Sequence, residues 1–317
     1  MRAVFLDQGT FSSAIEFSPI EEKVTELTCY VKTSPDEIIP RSIDADIIIT
    51  NKVQLTAEVL AALPKAKLIC ISATGYNNVD IDAAKRLNIA VTNVSGYASQ
   101  SVAQYVFAQL LEYYQQTSHH NANTEKGLWS TSDAFCYHGN SISELAGKTL
   151  AIIGYGNLGE AVATIARAFN MNVLISERPG AKIIRENREA FEYVITQADI
   201  ISLHCPQTPE TENCINTEVL KKMKKNAVLI NTARGAIVDE KALLKALINK
   251  EIAYAILDVL TQEPPSVNHP LLDNNLPNLK VTAHIAWASI EAQQRLIKLL
   301  SQNIAAYIQG EQLNRLV

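Results

Sequence analysis

Short, continuously apolar runs alternate with helix-patterned segments along the whole 317-residue chain, and this alternation restricts the fold more than any other feature. Ile47-Ile48-Ile49 shows the type. A strand with no polar alternation must be covered on both faces, the condition of a strand inside a parallel sheet flanked by helices. Strands are expected at Ala3–Leu6, Asp46–Thr50, Lys67–Ser72 and Ile89–Asn93, with helices over Ala57–Leu63 and Ile81–Leu87 between them. That spacing implies βαβ units. A second series begins at Gly147, with strands expected at Thr149–Ile153, Asn172–Ser176, Asp199–His204, Ala227–Asn231, Ile252–Leu257 and Leu279–Thr282. Between the two series, Val102, Val106, Leu110 and Tyr113 recur at three- and four-residue intervals and predict a long helix from Ala98 to Gln116. The polar stretch His119–Asn140 contains Trp129 and Phe135 and reads as a loop that packs against a partner. The last helix, Ser289–Ile308, has no strand after it and is expected to cross back to the first domain. The first domain is then discontinuous, 1–97 with 289–317, and 98–288 form the second.

Composition narrows the partners. The chain carries 28 basic and 33 acidic side chains, a formal charge of −5. Nucleic acid is disfavoured, because phosphate binding needs clustered cations. The densest cluster, Lys221, Lys222, Lys224 and Lys225, reads as a solvated helix end. Five cysteines without a close pair argue against a disulfide framework or a zinc site, and no metal is expected. No apolar run is long enough to span a bilayer and the N-terminus has no signal-peptide core, so a cytoplasmic setting without a membrane partner is expected.

The strongest local motif is Gly154-Tyr155-Gly156-Asn157-Leu158-Gly159. It follows an expected strand and opens a helix, the context that a dinucleotide-binding glycine turn requires. Gly154 permits the tight turn, Gly156 lets backbone N–H groups approach a pyrophosphate, and Gly159 lets the helix pack closely on the strand. The helix N-terminus adds partial positive charge toward the phosphates. Glu177 lies 18 residues beyond Gly159 at the end of the next strand. A carboxylate there accepts hydrogen bonds from ribose hydroxyls and repels a 2′-phosphate, which favours NAD over NADP.

Three further residues fall at strand ends of the same expected sheet, where ligands of open parallel sheets bind. Arg234 follows the strand Ala227–Asn231, and its planar fork suits a carboxylate. His284 follows Leu279–Thr282 and supplies a proton donor. Glu263 lies beyond Asp258 at the end of another strand, and a carboxylate against imidazole favours the imidazolium. A cation for a carboxylate, an acid/base and a carboxylate beside it are what reduction of a 2-keto acid by hydride asks of a protein.

These motifs, with Ala73-Thr74-Gly75-Tyr76-Asn77-Asn78, Ser202-Leu203-His204-Cys205-Pro206, Asn231-Thr232-Ala233-Arg234-Gly235 and His284-Ile285-Ala286-Trp287-Ala288-Ser289, extend over nearly the whole chain. Taken together they resemble the D-isomer-specific 2-hydroxyacid dehydrogenase family. The resemblance implies an α/β fold of two doubly wound parallel-sheet domains, a Rossmann-type cofactor domain inserted into a flavodoxin-like substrate domain, with a cleft that closes by a hinge and a homodimeric assembly. It implies Arg234 as the substrate-binding cation, His284 as acid/base and Glu263 as the carboxylate that orients it. Ala73, Thr74 and Gly75 are implied to meet the substrate carboxylate with their backbone. NAD contacts are implied for Val102, the Gly154–Gly159 turn, Glu177, His204, Cys205, Pro206, Thr232, Ala233, Arg234, Asp258 and His284. The Thr74–Asn78 loop, Trp129, Phe135-Cys136-Tyr137 and Trp287 point to the branch that acts on hydroxypyruvate and D-glycerate. D-lactate-type and broad 2-keto-acid reductases remain alternatives, as does an NAD-sensing regulatory protein on the same fold, which would not need the three catalytic side chains. Two positions depart from the family pattern: Tyr105 stands where His is common, and Ala283 where Pro commonly precedes the histidine.

Overall fold

The computed structural model describes residues 1–273 and 275–317. The chain forms two compact units, Met1–Ala98 with Trp287–Val317, and Ser99–Ala286.

The first unit is built on β1 (Arg2–Phe5), β2 (Glu26–Cys29), β3 (Ile47–Thr50), β4 (Leu68–Ile71) and β5 (Ala90–Thr92). All pairings are parallel, in the order β2-β1-β3-β4-β5, the flavodoxin-like doubly wound order. Every residue of β3 and β4 is buried, as their unbroken apolar runs require. β2 was not expected from sequence: it is an edge strand of mixed polarity, Glu-Leu-Thr-Cys, with no buried residue. The helix Ile290–Ile308 packs against β4 and buries Leu296, Ile297, Leu300 and Ile304. Ser289 caps it by accepting the Ala292 N–H at 3.2 Å. Just before this helix, Trp287 meets Phe11 and Tyr97 edge to face.

The second unit contains β6 (Thr149–Ile153), β7 (Asn172–Ser176), β8 (Ile200–Leu203), β9 (Val228–Asn231), β10 (Tyr254–Leu257) and β11 (Leu279–Val281). They too pair in parallel, in the order β11-β10-β9-β8-β6-β7. From β7 the chain must return past β6 to form β8 on the other side, so the order reverses between β6 and β8. A crevice opens at the carboxyl ends of strands where such a reversal occurs. The helix Ser99–Gln115 buries Val102, Val106, Phe107 and Leu110 and packs on the helix Asn157–Ala168, with Phe107 stacked on Phe169.

One expectation is corrected. The stretch from His119 onward begins inside a helix, Thr117–Glu125, separated from its predecessor by Gln116 in the left-handed region. The segment Thr-Ser-His-His-Asn-Ala-Asn-Thr-Glu is polar on every side, so no apolar period marks it. Beyond it, residues 127–142 leave Trp129 53% and Phe135 92% exposed.

Candidate active site

The switch point of the second sheet carries the glycine motif. Gly154, at φ +97°, leaves β6 and passes so close to the end of β8 that a Cβ on it would collide with the backbone of His204 and Cys205. Only glycine combines that dihedral with that approach. Gly156 caps the helix Asn157–Ala168, and open space lies where its Cβ would be. At Gly159 a Cβ would press on the Gly154 carbonyl, so helix and turn are in contact. Beside this turn lies a cavity of about 660 Å³, lined by Gly154, Tyr155, Gly156, Glu177, His204, Cys205 and Pro206 among others. Two buried polar atoms near these strand ends, His204 Nδ1 and Thr232 Oγ1, have no hydrogen-bond partner among the described residues. Buried polar atoms are rarely left so, and the crevice, the open face at Gly156 and these two atoms fit a dinucleotide.

Glu177 follows β7 and is 3% exposed. The Arg185 guanidinium donates to it twice, from Nε at 2.7 Å and Nη2 at 2.6 Å, and the backbone N–H groups of Arg178 and Arg185 add bonds of 2.9 Å and 3.4 Å. The Arg185 guanidinium, ahead of all other influences, holds this carboxyl down at about 2. Arg178 and Arg188 line the same cavity. The sequence pattern located the carboxylate but gave no sign of its cation: Arg185 lies in an irregular polar loop with no period to mark it.

His204 ends β8, and its Nε2 lies 2.8 Å from Ser202 Oγ. Burial pushes the imidazole down to about 4. An unfolded chain takes up this proton near 6.5, so the folded state binds fewer protons between those values. Stability is therefore full above about 6.5 and declines as pH falls toward 4, by on the order of 3 kcal/mol from this group. Urea unfolding of the parent protein and of His204→Asn at pH 7 and pH 4.5 should show a smaller acid loss in the variant. Equal losses would show that this histidine does not set the window.

The second cluster gathers on the strand ends of β10 and β11. His284 Nδ1 lies 2.7 Å from Glu263 Oε2. A carboxylate only accepts, so Nδ1 carries the hydrogen, and Nε2 is the atom left for exchange with a ligand. Glu263 Oε1 accepts the Leu260 N–H at 2.9 Å. The two side chains line a cavity of about 370 Å³ with Asp258, Leu260, Thr282 and other residues of this unit.

Asp258 has a structural task that sequence did not reveal. His284 sits at φ +55°, an unfavourable left-handed conformation for a residue with a Cβ. The Asp258 carbonyl accepts the His284 N–H at 2.8 Å, Oδ1 accepts Ile285 N–H at 2.9 Å, and Oδ2 accepts Ala286 N–H at 2.8 Å. Thr282 Oγ1 donates to Oδ1 at 2.6 Å and itself lies 2.5 Å from the Tyr105 hydroxyl. Three consecutive backbone N–H groups are thus fastened to one aspartate, and the strained histidine is held by it. The loop is anchored without a proline at Ala283.

Arg234 follows β9. Buried Asn231 ties the turn, accepting the Ala233 N–H at 3.0 Å and donating to the Arg234 carbonyl at 2.8 Å. Arg234 does not line the His284 cavity, and its Nη1 donates to the Ala233 carbonyl. The next residue joins the two loops: a Cβ on Gly235 would fall on the backbone of Leu260 and Thr261. Two of the three expected catalytic side chains therefore share a hydrogen bond, and the third is linked to them through main-chain contact. Val102 is buried in its helix.

In the first unit, Ala73, Thr74 and Gly75 follow the carboxyl end of β4. Val94 N–H donates to the Ala73 carbonyl at 3.1 Å, Thr74 Oγ1 donates to the Val94 carbonyl at 2.9 Å, and Asn93 Nδ2 donates to the Thr74 carbonyl at 2.8 Å. These bonds fix the loop.

Comparison with known proteins agrees with this geometry. Residues 107–286 match the NAD binding domain of the D-isomer specific 2-hydroxyacid dehydrogenases. A glycerate dehydrogenase of Methylorubrum extorquens is 42% identical over 315 residues, covering 99% of this chain and 98% of that protein. A hydroxypyruvate reductase of Blautia hydrogenotrophica is 36% identical over 299 residues, 92% of each. The solved structure of an acyclic imino acid reductase in complex with NADPH and D-Arg superposes with a TM-score of 0.86 at 29% identity, covering both chains fully. A parallel sheet with a glycine turn at its switch point, a histidine–carboxylate pair at its far strand ends and whole-length relatives of one kind identify this chain as an oxidoreductase belonging to the D-isomer-specific 2-hydroxyacid dehydrogenase family.

Proposed function

We propose that the chain interconverts small 2-keto acids and D-2-hydroxy acids with NAD(H), with hydroxypyruvate and D-glycerate as its main pair and glyoxylate as a further substrate. The observation that carries this reading is the 2.7 Å contact between His284 and Glu263 on a dinucleotide-binding sheet. The similarity to a glycerate dehydrogenase and a hydroxypyruvate reductase supports the choice of substrate. In this proposal the second unit is the cofactor domain and the first the substrate domain.

A bound nicotinamide supplies or takes the hydride. The chain does the rest. Arg234 holds the substrate carboxylate and polarises the carbonyl, and backbone groups of Ala73, Thr74 and Gly75 meet the same carboxylate. The imidazolium of His284 gives the Nε2 proton to the carbonyl oxygen, and Glu263 holds the ring in place through Nδ1. In the oxidation direction neutral His284 takes the proton back. The N–H groups of the Gly154–Gly159 turn meet the pyrophosphate at the helix N-terminus. Glu177 meets the ribose hydroxyls, which favours NAD. Arg178, Arg185 and Arg188 around it are the observation that favours some use of NADP, since Arg185 already balances the charge that would repel a phosphate. We also propose a homodimer, supported by the apolar surface of Trp129 and Phe135, which a lone chain leaves in water.

The test is a panel of hydroxypyruvate, glyoxylate, pyruvate and longer keto acids, each with NADH and NADPH. The expected order by kcat/KM places hydroxypyruvate first and NADH ahead of NADPH. Pyruvate in first place would make the protein a D-lactate-type enzyme. Absence of turnover with every acid, alongside measurable NADH binding, would leave a nucleotide-binding regulatory protein instead.

A further inference from the structure

A second carboxylate stands behind the Glu263–His284 pair. Glu240 opens the helix Glu240–Ile248, and its Oε1 accepts the N–H of Thr261 at 2.7 Å. Its Oε2 lies 3.2 Å from Nε2 of His269, a buried residue. His269 Nδ1 accepts the Leu271 N–H at 3.4 Å, so the ring hydrogen of the neutral imidazole sits on Nε2 and is directed at Glu240. The helix does not need Glu240 as its cap, because Asp239 already accepts the N–H groups of Lys241 and Ala242, each at 3.0 Å. The neighbouring amide of the same loop, that of Leu260, is bonded to Glu263. Two consecutive N–H groups thus serve two carboxylates, one facing the reaction and one behind it.

We propose that Glu240 is a positioning residue for the acid/base pair. With His269 it clamps the Leu260–Thr261 peptide, and that peptide sets the direction in which Glu263 meets His284. Residues 261–264 are exposed and gain little from packing, so polar anchors decide where the loop stands. On one side the loop rests on Gly235. On the other, Glu240 joins it to the buried His269. The inference rests on the proposed roles of Glu263 and His284.

The test uses the intact protein with hydroxypyruvate and NADH. Glu240→Met keeps the length and bulk of the side chain but removes the acceptor. It should lower kcat by about tenfold, since a small displacement of a positioned group has a large kinetic cost. KM and the NADH dissociation constant, read by fluorescence titration, should stay within about twofold of the parent, because Glu240 itself bonds to Thr261 and His269 and to none of the groups proposed to bind either ligand. Glu240→Gln retains an oxygen for Thr261 but turns its amide NH2 toward the Nε2 hydrogen of His269, and should recover kcat in part, to within about fivefold of the parent. Glu240→Asp, too short to span both partners, should resemble Glu240→Met and replaces it should that variant not fold. A parental kcat in Glu240→Met and Glu240→Asp overturns the proposal, as does Glu240→Gln being equally slow. Glu263→Gln separates the two levels. If it is slow while Glu240→Met is parental, only the positioning role falls; if Glu263→Gln is itself parental, the acid/base reading falls.

Discussion

His284→Ala is expected to lower kcat for hydroxypyruvate reduction by about 10³-fold, near the middle of the usual range for a general acid. Its NADH affinity should change by no more than about twofold, because the binding groups at the β6–β8 switch point lie on other strands. The loss would be chemical rather than structural. The bonds that hold the loop run from backbone N–H groups to Asp258, and truncating the side chain leaves all of them in place. Alanine at φ +55° is no more strained than histidine there, so the melting temperature should move by only about 2 °C. His284→Asn, which tolerates the left-handed region, should fold as well and be as slow. Glu263→Gln should cost less, about 10²-fold, since the amide oxygen still accepts from Nδ1 but no longer offsets the charge of the imidazolium. A His284→Ala protein turning over near the parental rate would remove the residue from the mechanism. One that fails to bind NADH would show that the loop, not the proton, had been lost.

The parts of this molecule legible in its sequence are those where local chemistry alone determines geometry. β3 and β4 are legible because a strand buried on both faces has no choice but an unbroken apolar run. The cofactor turn is legible because Gly154 must pass the backbone of β8 at a dihedral other residues avoid. β2 and the helix Thr117–Glu125 were not, since an edge strand with no buried face and a helix polar all round leave no period to read. At the candidate active site, residue type and strand-end placement singled out Arg234, Glu263 and His284, of which the structure pairs the last two. What decides their orientation was hidden. Arg185 reaches Glu177 from a loop without pattern, Asp258 fastens a strained histidine 26 residues away, and Glu240 touches a loop 21 residues further along. The first joins two side chains across an irregular loop and the other two join a side chain to distant main chain, and such bonds have no signature until the fold brings the partners together.

Gly235→Ala is the substitution with the largest expected effect on folding and catalysis together. No positive φ makes the glycine necessary; a close approach does. The added methyl would occupy the space of the Leu260 carbonyl and the Leu260–Thr261 peptide. Backbone cannot rotate aside as a side chain can, so one of the two loops must move. Overpacking of this kind costs about 3 kcal/mol, and for a unit of this size the melting temperature should fall by roughly 6–12 °C. If the Arg234 turn retreats, the cation proposed to bind the substrate moves with it. If the Leu260–Glu263 loop retreats, Glu263 loses its direction on Nδ1 of His284. Either displacement breaks the spacing between charge and proton donor, and kcat/KM for hydroxypyruvate should fall by about 10²-fold. Gly310→Ala serves as the comparison: its Cβ meets open space, and the strain of its φ of +78° lies in the chain beyond the last helix. That variant should lose a little stability and keep the parental kcat/KM. A Gly235→Ala protein that melts lower yet reduces hydroxypyruvate at the parental rate would show that the two loops do not depend on each other. One unchanged in both respects would mean that no such contact forms in solution. The expected pairing of a large stability loss with a larger kinetic loss follows only if one peptide contact holds the proposed carboxylate-binding cation and the proposed acid/base in register.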